Sequence, residues 1–328
     1  MLIPVLLGVS IIVFLIMRVF SPDPAPIVLG QHATQPAIDA WRQANGLNDP
    51  IILQYFDFLR GALTGNLGSS YYTKTPVMEE ILTRFPATIE LAVVAIIIAS
   101  IFGILIGVIS AVKKNSIIDN AGMLIALMGV SMPIFWLGIL MIILFSGVLH
   151  WLPSGGRINP LLNPAHLTGL YLIDSLITGD IRSFVDSFKH LILPASALAM
   201  YSMAIITRMT RSSMLDTLQQ DYIRTARAKG ISEGKVVYKH ALRNGLIPII
   251  TVIGLQLGSL LGGAVLTETV FSWPGIGAYT VASILKSDFP VVQGVVLLVA
   301  AIFVLMNLVV DVIYAFLDPR IKLSKKEV

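Results

Sequence analysis

Apolar positions in this 328-residue chain gather into long blocks; they do not alternate with polar ones or form narrow helical stripes. Six blocks stand out: Leu2–Phe20, Thr88–Val112, Ala121–Leu149, His190–Thr207, Gly245–Val270 and Val291–Leu317. A helix needs roughly 20 apolar residues to cross the hydrocarbon core of a bilayer. The pattern therefore predicts an all-α polytopic membrane protein with six transmembrane helices. Pro133 predicts a bend in the third. The fourth is diluted by Ala, Ser, Met and Pro194, a composition that suits a helix facing other helices. The first lacks a basic lead-in and a small-x-small cleavage site, so it reads as a retained helix and not as a signal peptide.

Between the blocks lie stretches of different character. Residues 21–85 are too many for a simple connection. Within them Ile51–Arg60 (IILQYFDFLR) reads as an interfacial helix, and Thr75–Pro76 as the cap and first residue of a short helix running toward Arg84. Residues 150–189 begin rich in Pro, Gly and Asn and read as mostly irregular. The expected layout is a first helix (1–20), an external segment (21–85), a five-helix core (86–318) with a cytoplasmic loop at 208–247, and a basic tail (319–328).

Composition agrees, and charge orients the chain. Hydrophobic residues make up 55% and charged residues 13%, too few charges to cover a soluble core of that size. Lys113, Lys114, the segment Arg208–Arg243 and the tail with Arg320, Lys322, Lys325 and Lys326 carry 14 basic residues; the opposite loops carry 8. The positive-inside rule then places both termini in the cytoplasm. The net charge of +4 is thus topological, and nucleic-acid binding is not expected. Four charges fall in or beside the blocks. Arg18 and Asp311 read as snorkelling or paired near span ends, and Glu90 as a carboxylate favoured at a helix start. Glu268 is open between a brace for the turn at Trp273–Pro274 and a contact for a substrate ammonium group.

The segment from Ser213 to Pro248 holds the strongest local signal. Ser213–Lys229 has a helical pattern, Gly230 stands where a left-handed cap belongs, and Ser232 is placed to cap a second helix, Glu233–Asn244, which runs into the fifth block at Pro248. Thr225, Ala226 and Ala228 keep the corner small, so another protein can approach the backbone closely. Glycines give a second signal. Gly254, Gly258 and Gly262 recur every four residues in the fifth block, and Gly103 and Gly107 repeat the spacing in the second. Static packing explains either set, and in the fifth block a sliding helix beside a substrate path fits as well.

Enzymatic chemistry is not evident. There is no Cys, the five His have no paired-ligand spacing, and GISEGK (Gly230–Lys235) is one residue short of a phosphate loop. No nucleophile–base set stands out, so the chain reads as a non-enzyme without a cofactor or metal, and any ATP hydrolysis belongs to a partner.

At DYIRTARAKG (221–230), followed by HALRN and Ile247–Pro248, the chain resembles the coupling loop of permease subunits of binding-protein-dependent ABC importers, in the branch that handles peptides and nickel. Further stretches share the likeness: LIPVLLGVSIIVFLIMRVFSPDPA, RFPATIELA, SMPIFWLGI, ITRMTRSSMLDTL, VLTETVFSWPGIG, DFPVVQG and NLVVDVIYAFLDPRI. NPAHLTGLYLID is similar to the dipeptide members. The resemblance implies a type I importer permease in a prokaryotic inner membrane, paired with a second homologous permease. Two ATP-binding subunits and an external substrate-binding protein complete the assembly, surrounded by membrane lipid. It places the family's EAA---G motif on Arg224, Thr225, Ala226 and Gly230, with Arg224 where the motif has glutamate. Tyr222, Arg227, Ala228 and Lys229 complete the implied ATPase-coupling surface. Glu268 and Ser131 are candidates for the substrate path. Dipeptides are the implied cargo, with oligopeptide, nickel chelate and haem also compatible with the branch. An ion-coupled secondary transporter is the alternative, though paired intramembrane ionisable residues are largely lacking.

Overall fold

The computed structural model describes residues 2–30, 32–162 and 164–317. The basic tail and the side chain of Asp311 lie outside the described residues. Helices α1 (Leu2–Leu15, extended by a π turn to Phe20), α2 (Pro24–Leu29), α3 (Gln35–Ala44) and α4 (Ile51–Leu63) precede the bundle. The bundle is built from α5 (Val77–Val112), α6 (Ile117–Ser131), α7 (Ile134–Met141, with a π turn to Val148), α8 (Tyr171–Thr178) and α9 (Ile181–Leu218). It continues through α10 (Asp221–Ala228), α11 (Glu233–Lys235), α12 (Arg243–Gly263), α13 (Val265–Val270), α14 (Ile276–Leu285) and α15 (Phe289–Leu317). Among the described residues there is no strand, only an isolated bridge between Ser69 and Pro76.

Among the described residues, four helices are long and apolar enough to cross a membrane: Val77–Val112, Ile181–Leu218, Glu233–Gly262 and Phe289–Val309. The pair α6 and α7 makes a fifth if its two halves are one span. It is bent by 106° just where Pro133 was expected to bend it. Proline removes an N–H and clashes with the preceding turn, and Met132 is extended to accommodate it. The apolar N-terminal helix Pro4–Phe20 is shorter than the others.

The core is the long seam between α5 and α9. In a bilayer, apolar surface alone gives helices little reason to associate, so close backbone approach and dispersion must hold them. The residues on the seam suit that role. Ala92, Ala95 and Ala99 of α5 pack with Ala195, Leu198 and Ala199 of α9, all nearly or fully buried. A Cβ on Gly103 would come 2.8 Å from Ile206, and one on Gly107 would come 2.5 Å from Thr210. These two glycines are therefore required for the approach. The fifth-block glycines sit more loosely. A Cβ on Gly258 would meet Met306 at 3.4 Å and one on Gly262 would meet Val299 at 3.3 Å, both on α15, while Gly254 is half-buried. The small residues of the fourth block do turn inward, with Ala195, Ala197, Ser202 and Ala204 at 0% exposure.

Three sequence expectations need correction. The helix expected to end near Arg84 continues through Pro86 into the second block and forms one 36-residue helix, α5. Pro76 occupies the cap position and no side chain caps the start. Proline inside a membrane helix is tolerated where neighbouring protein surrounds the freed carbonyl. The helix expected over Ser213–Lys229 is two helices, because Gln220 is extended between Leu218 and Asp221. The second helix of the pair runs into the fifth block as expected, through a π turn (Val236–Leu242) into α12, but Ser232 makes no side-chain cap bond.

Candidate functional site

One end of the bundle carries the helix–turn–helix. α10 is short and two-sided: Ile223 (0% exposed) and Ala226 (7%) point inward, one turn apart. They pack on Met214, Val236, Val237 and Ala241, and on Val108 and Ala111 at the last turn of α5. Tyr222, Arg224, Thr225, Arg227, Ala228, Lys229 and Gly230 face outward. The structure thus divides the eight residues expected to form one surface. Seven are exposed, and Ala226 anchors the helix to the bundle.

The turn closes as a Schellman motif. Gly230 has φ +75°, its N–H donates to the Arg227 carbonyl at 2.9 Å, and the Ile231 N–H donates to the Ala226 carbonyl at 3.3 Å. The left-handed conformation was legible in the glycine. Two contacts fix the turn further. Arg227 pairs with Glu233 at 2.6 Å and 3.1 Å, and the Asn244 amide donates to the Tyr222 hydroxyl at 3.0 Å. Both are exposed, so each adds only a fraction of a kcal/mol, on the order of 0.2–1.

Behind this surface lies a pair that sequence reasoning missed. Asp119, at 1% exposure, accepts bonds from Arg211 at 2.7 and 2.8 Å and from the Asn115 N–H at 2.9 Å. The Ser116 hydroxyl accepts from the Asp119 N–H, so Ser116 caps α6. The pair ties the start of α6 to α9 two turns before α9 ends. The Ser-x-x-Asp spacing at 116–119 was the available signal for the cap, but nothing local pointed to an arginine 92 residues away.

At the other end, Glu90 is not at a helix start. It lies fourteen residues into α5, and Arg157 donates to its Oε2 from Nε at 2.9 Å and from Nη2 at 2.7 Å. The other oxygen accepts the Leu172 N–H at 2.8 Å. The guanidinium also donates to the Gly169 carbonyl and stacks on Tyr171, 3.8 Å from the ring centroid. The helix-dipole reading failed because α5 begins eleven residues earlier than the second block. Arg18 rests between Phe14 and Phe289, 5.5 and 5.0 Å from their centroids.

Glu268 is completely buried, in α13. Thr88 donates to it at 2.7 Å, the Ala278 N–H at 2.9 Å, and a Cβ on Gly275 or Gly277 would collide with its carboxylate. The Trp273 indole donates to the Ala87 carbonyl at 2.8 Å, and the Ile276 N–H donates to the Thr88 hydroxyl at 3.0 Å. The glycines of WPGIG let the turn wrap the carboxylate. Ser131 is far from this turn in sequence and role: it is exposed at the last residue of α6, beside the 106° bend. No group of three His, Cys, Asp or Glu able to hold a metal occurs among the described residues.

Comparison with known proteins accounts for nearly the whole chain. Residues 103–323 match the binding-protein-dependent transport system inner membrane component family, and residues 1–92 match that family's N-terminal membrane component. The dipeptide transport system permease protein DppB of Alkalihalophilus pseudofirmus is 51% identical over 98% of this chain and 97% of its own length. The di/tripeptide transport system permease protein DppB of Pseudomonas aeruginosa is 47% identical over 98% and 96%. The dipeptide permease DppB of Escherichia coli is 46% identical over the same shares. The chain therefore belongs to the family of binding-protein-dependent transport system inner membrane components, the permease subunits of ABC importers, and is not itself an enzyme.

Proposed function

We propose that this chain forms half of the membrane channel of an ATP-driven importer that carries dipeptides across a prokaryotic inner membrane by alternating access. The observation that carries the substrate is 46–51% identity, over almost the full chain, to permeases named for dipeptide or di/tripeptide transport. Nothing in the family match or the relatives supports the ion-coupled alternative.

The architecture in this reading has six spans. The N-terminal helix is the first, the bent pair α6–α7 is the third, and both termini lie in the cytoplasm, as the distribution of basic residues favours. The external segment (21–85), the five-helix core with its coupling loop at 208–247, and the basic tail follow from that orientation. A second, homologous permease completes the channel, an external binding protein delivers the peptide, and two ATP-binding subunits dock at α10. There Tyr222, Arg224, Thr225, Arg227, Ala228, Lys229 and Gly230 meet the ATPase, while Ala226 transmits its motion to the bundle. The outward exposure of the seven and the burial of the one support that division. ATP-driven closure of the ATPase pair moves α10, and the bundle switches between two arrangements. Glu268 braces the Trp273–Gly277 turn against α5, and its full burial favours this role over contact with a peptide ammonium. Gly258 and Gly262 give α12 a looser seat on α15 than α5 has on α9, which suits relative motion there.

Two measurements test the reading. Mass spectrometry of the complex purified in mild detergent should find a homologous permease and ATPase subunits, whereas a self-associated chain without ATPase would overturn it. Gly230→Pro forces φ from +75° to about −65° and should abolish uptake of labelled dipeptide while leaving ATPase activity measurable. Normal uptake by that variant would refute coupling through this turn.

A further inference from the structure

Cavities beside the first helix play no part in the coupling surface or the Glu268 turn. Two of about 390 Å³ each share Arg18 and Gln54 as walls. The first holds Asp23 and Arg42, which are paired with each other. The second is lined by Arg18, Asp49, Asp57, Tyr71 and Gln293, among others. Its polar groups are incompletely matched. Arg18 Nε and Nη1 are covered and have no hydrogen-bond partner among the described residues. Gln293 is 3% exposed, and its Nε2 donor is likewise unpartnered. Asp49 and Asp57 are exposed on the same cavity.

An apolar slot of about 400 Å³ adjoins it. Leu6, Leu7 and Ser10 of α1, Leu63 of α4 and Leu297 of α15 line the slot, and Leu67 is a wall of both spaces. On α1 the slot begins at Ser10, eight residues before Arg18, which is roughly 12 Å along the axis at 1.5 Å per residue. A guanidinium at one level and a greasy slot roughly 12 Å below it match the spacing of a lipid headgroup and its acyl chain in a leaflet. α4 runs along the slot and leaves Ile52, Phe56 and Leu63 exposed, as an interfacial helix does.

We propose that this site binds one phospholipid with a primary-amine headgroup. The phosphate meets Arg18 and Gln293, the ammonium meets Asp49 or Asp57, and one acyl chain fills the slot. A purely anionic headgroup would satisfy Arg18 but face two carboxylates. A free peptide zwitterion matches the charges but leaves the slot unfilled, and its amides gain nothing there.

The test uses the permease assembled with its partner subunits, equilibrated in mixed micelles with equal phosphatidylethanolamine and phosphatidylglycerol of the same chains. Lipid retained on the complex is read by native mass spectrometry. The wild type retains phosphatidylethanolamine in preference. Arg18→Gln lowers retention roughly tenfold or more, the scale of a lost charge-assisted hydrogen bond. Because Arg18 also packs between two aromatic rings, a second variant guards against misfolding. Ala62→Trp fills the slot from α4, leaves the polar cavity untouched, and should lower retention while the partner subunits remain bound. The paired change Asp49→Asn with Asp57→Asn removes the preference between the two lipids. Equal retention by wild type and Arg18→Gln, no preference in the wild type, or displacement of lipid by added dipeptide would each overturn the site. Since the readout is bound lipid and not uptake, its failure leaves the import reading intact.

Discussion

Replacing Glu90 by glutamine removes one charge from a pair whose side chains are only 6% and 5% exposed. Unit charges about 4 Å apart attract by about 4 kcal/mol at an effective dielectric near 20. Desolvation offsets much of that in the intact pair, but once Glu90 is neutral the guanidinium stays buried without compensation. Loss of one partner of such a pair costs about 3–5 kcal/mol. The Gly169 carbonyl and the Tyr171 face continue to hold Arg157, which places the expected cost toward the lower end. The assay is a double-mutant cycle on thermal unfolding of the complex in nanodiscs, using Glu90→Gln, Arg157→Met and both together. Each single change should lower the melting temperature by several degrees. The double variant should lose less than the sum, with a coupling of about 2 kcal/mol or more. Additive losses would mean that the two residues act independently, and the pair would then not be what joins α5 to the 157–172 segment.

Packing, titration and the coupling turn each supply a further test. Gly107→Ala puts a methyl 2.5 Å from Thr210 and 2.8 Å from the Thr207 carbonyl, so it should destabilise by about 1–3 kcal/mol. Gly258→Ala meets Met306 at 3.4 Å and should be neutral or stabilising, by up to about 1 kcal/mol through helix propensity. Melting curves showing equal costs at both positions would refute the distinction between the seams. Burial of Asp174 opposes its ionisation, but donors from Thr168, Gly169 and Leu167 outweigh it and hold the carboxyl below the usual range. A depressed carboxyl stabilises the fold above its unfolded pKa of about 3.9 and loses that contribution as pH falls toward its native value. The melting difference between wild type and Asp174→Asn should therefore be flat above about pH 5 and shrink only in more acid solution; a difference that grows with acid would refute the assignment. Gly230→Ala keeps an N–H but strains the left-handed turn by about 1–2 kcal/mol, so it should impair uptake less than Gly230→Pro in the same transport assay.

What sequence revealed depended on the range of the cause. Pro133 and Gly230 act on their own backbone, and both the bend and the left-handed cap stand where the residues demand them. The apolar blocks likewise mark the helices, since each block must satisfy its own backbone in lipid. Boundaries were less legible where two helices fuse: nothing near Arg84 stops α5, and Pro86 alone was too weak a break. Partners were least legible. Glu90 with Arg157, Asp119 with Arg211, and Glu268 with Thr88 are separated by 67, 92 and 180 positions. Such pairs are set by how the helices pack, and a single sequence carries no local trace of them. Ala226 shows the same limit, since its smallness reads equally as room for a partner and as a snug fit to α5, and Ile223 beside it was the clue to its inward face.

The length of α9 has a mechanical corollary. Its 38 residues span about 57 Å at 1.5 Å per residue. It is pinned by Arg211 near one end and reaches Asn159 through Asp186 near the other. A rod of that length acts as a lever: a pivot of about 5° at Leu218 swings Asp180 through about 5 Å, taking the rod as rigid at this rise. Small angular changes beside α10 thus arrive at the far loops as displacements as large as a side chain, with no need for any helix to unwind.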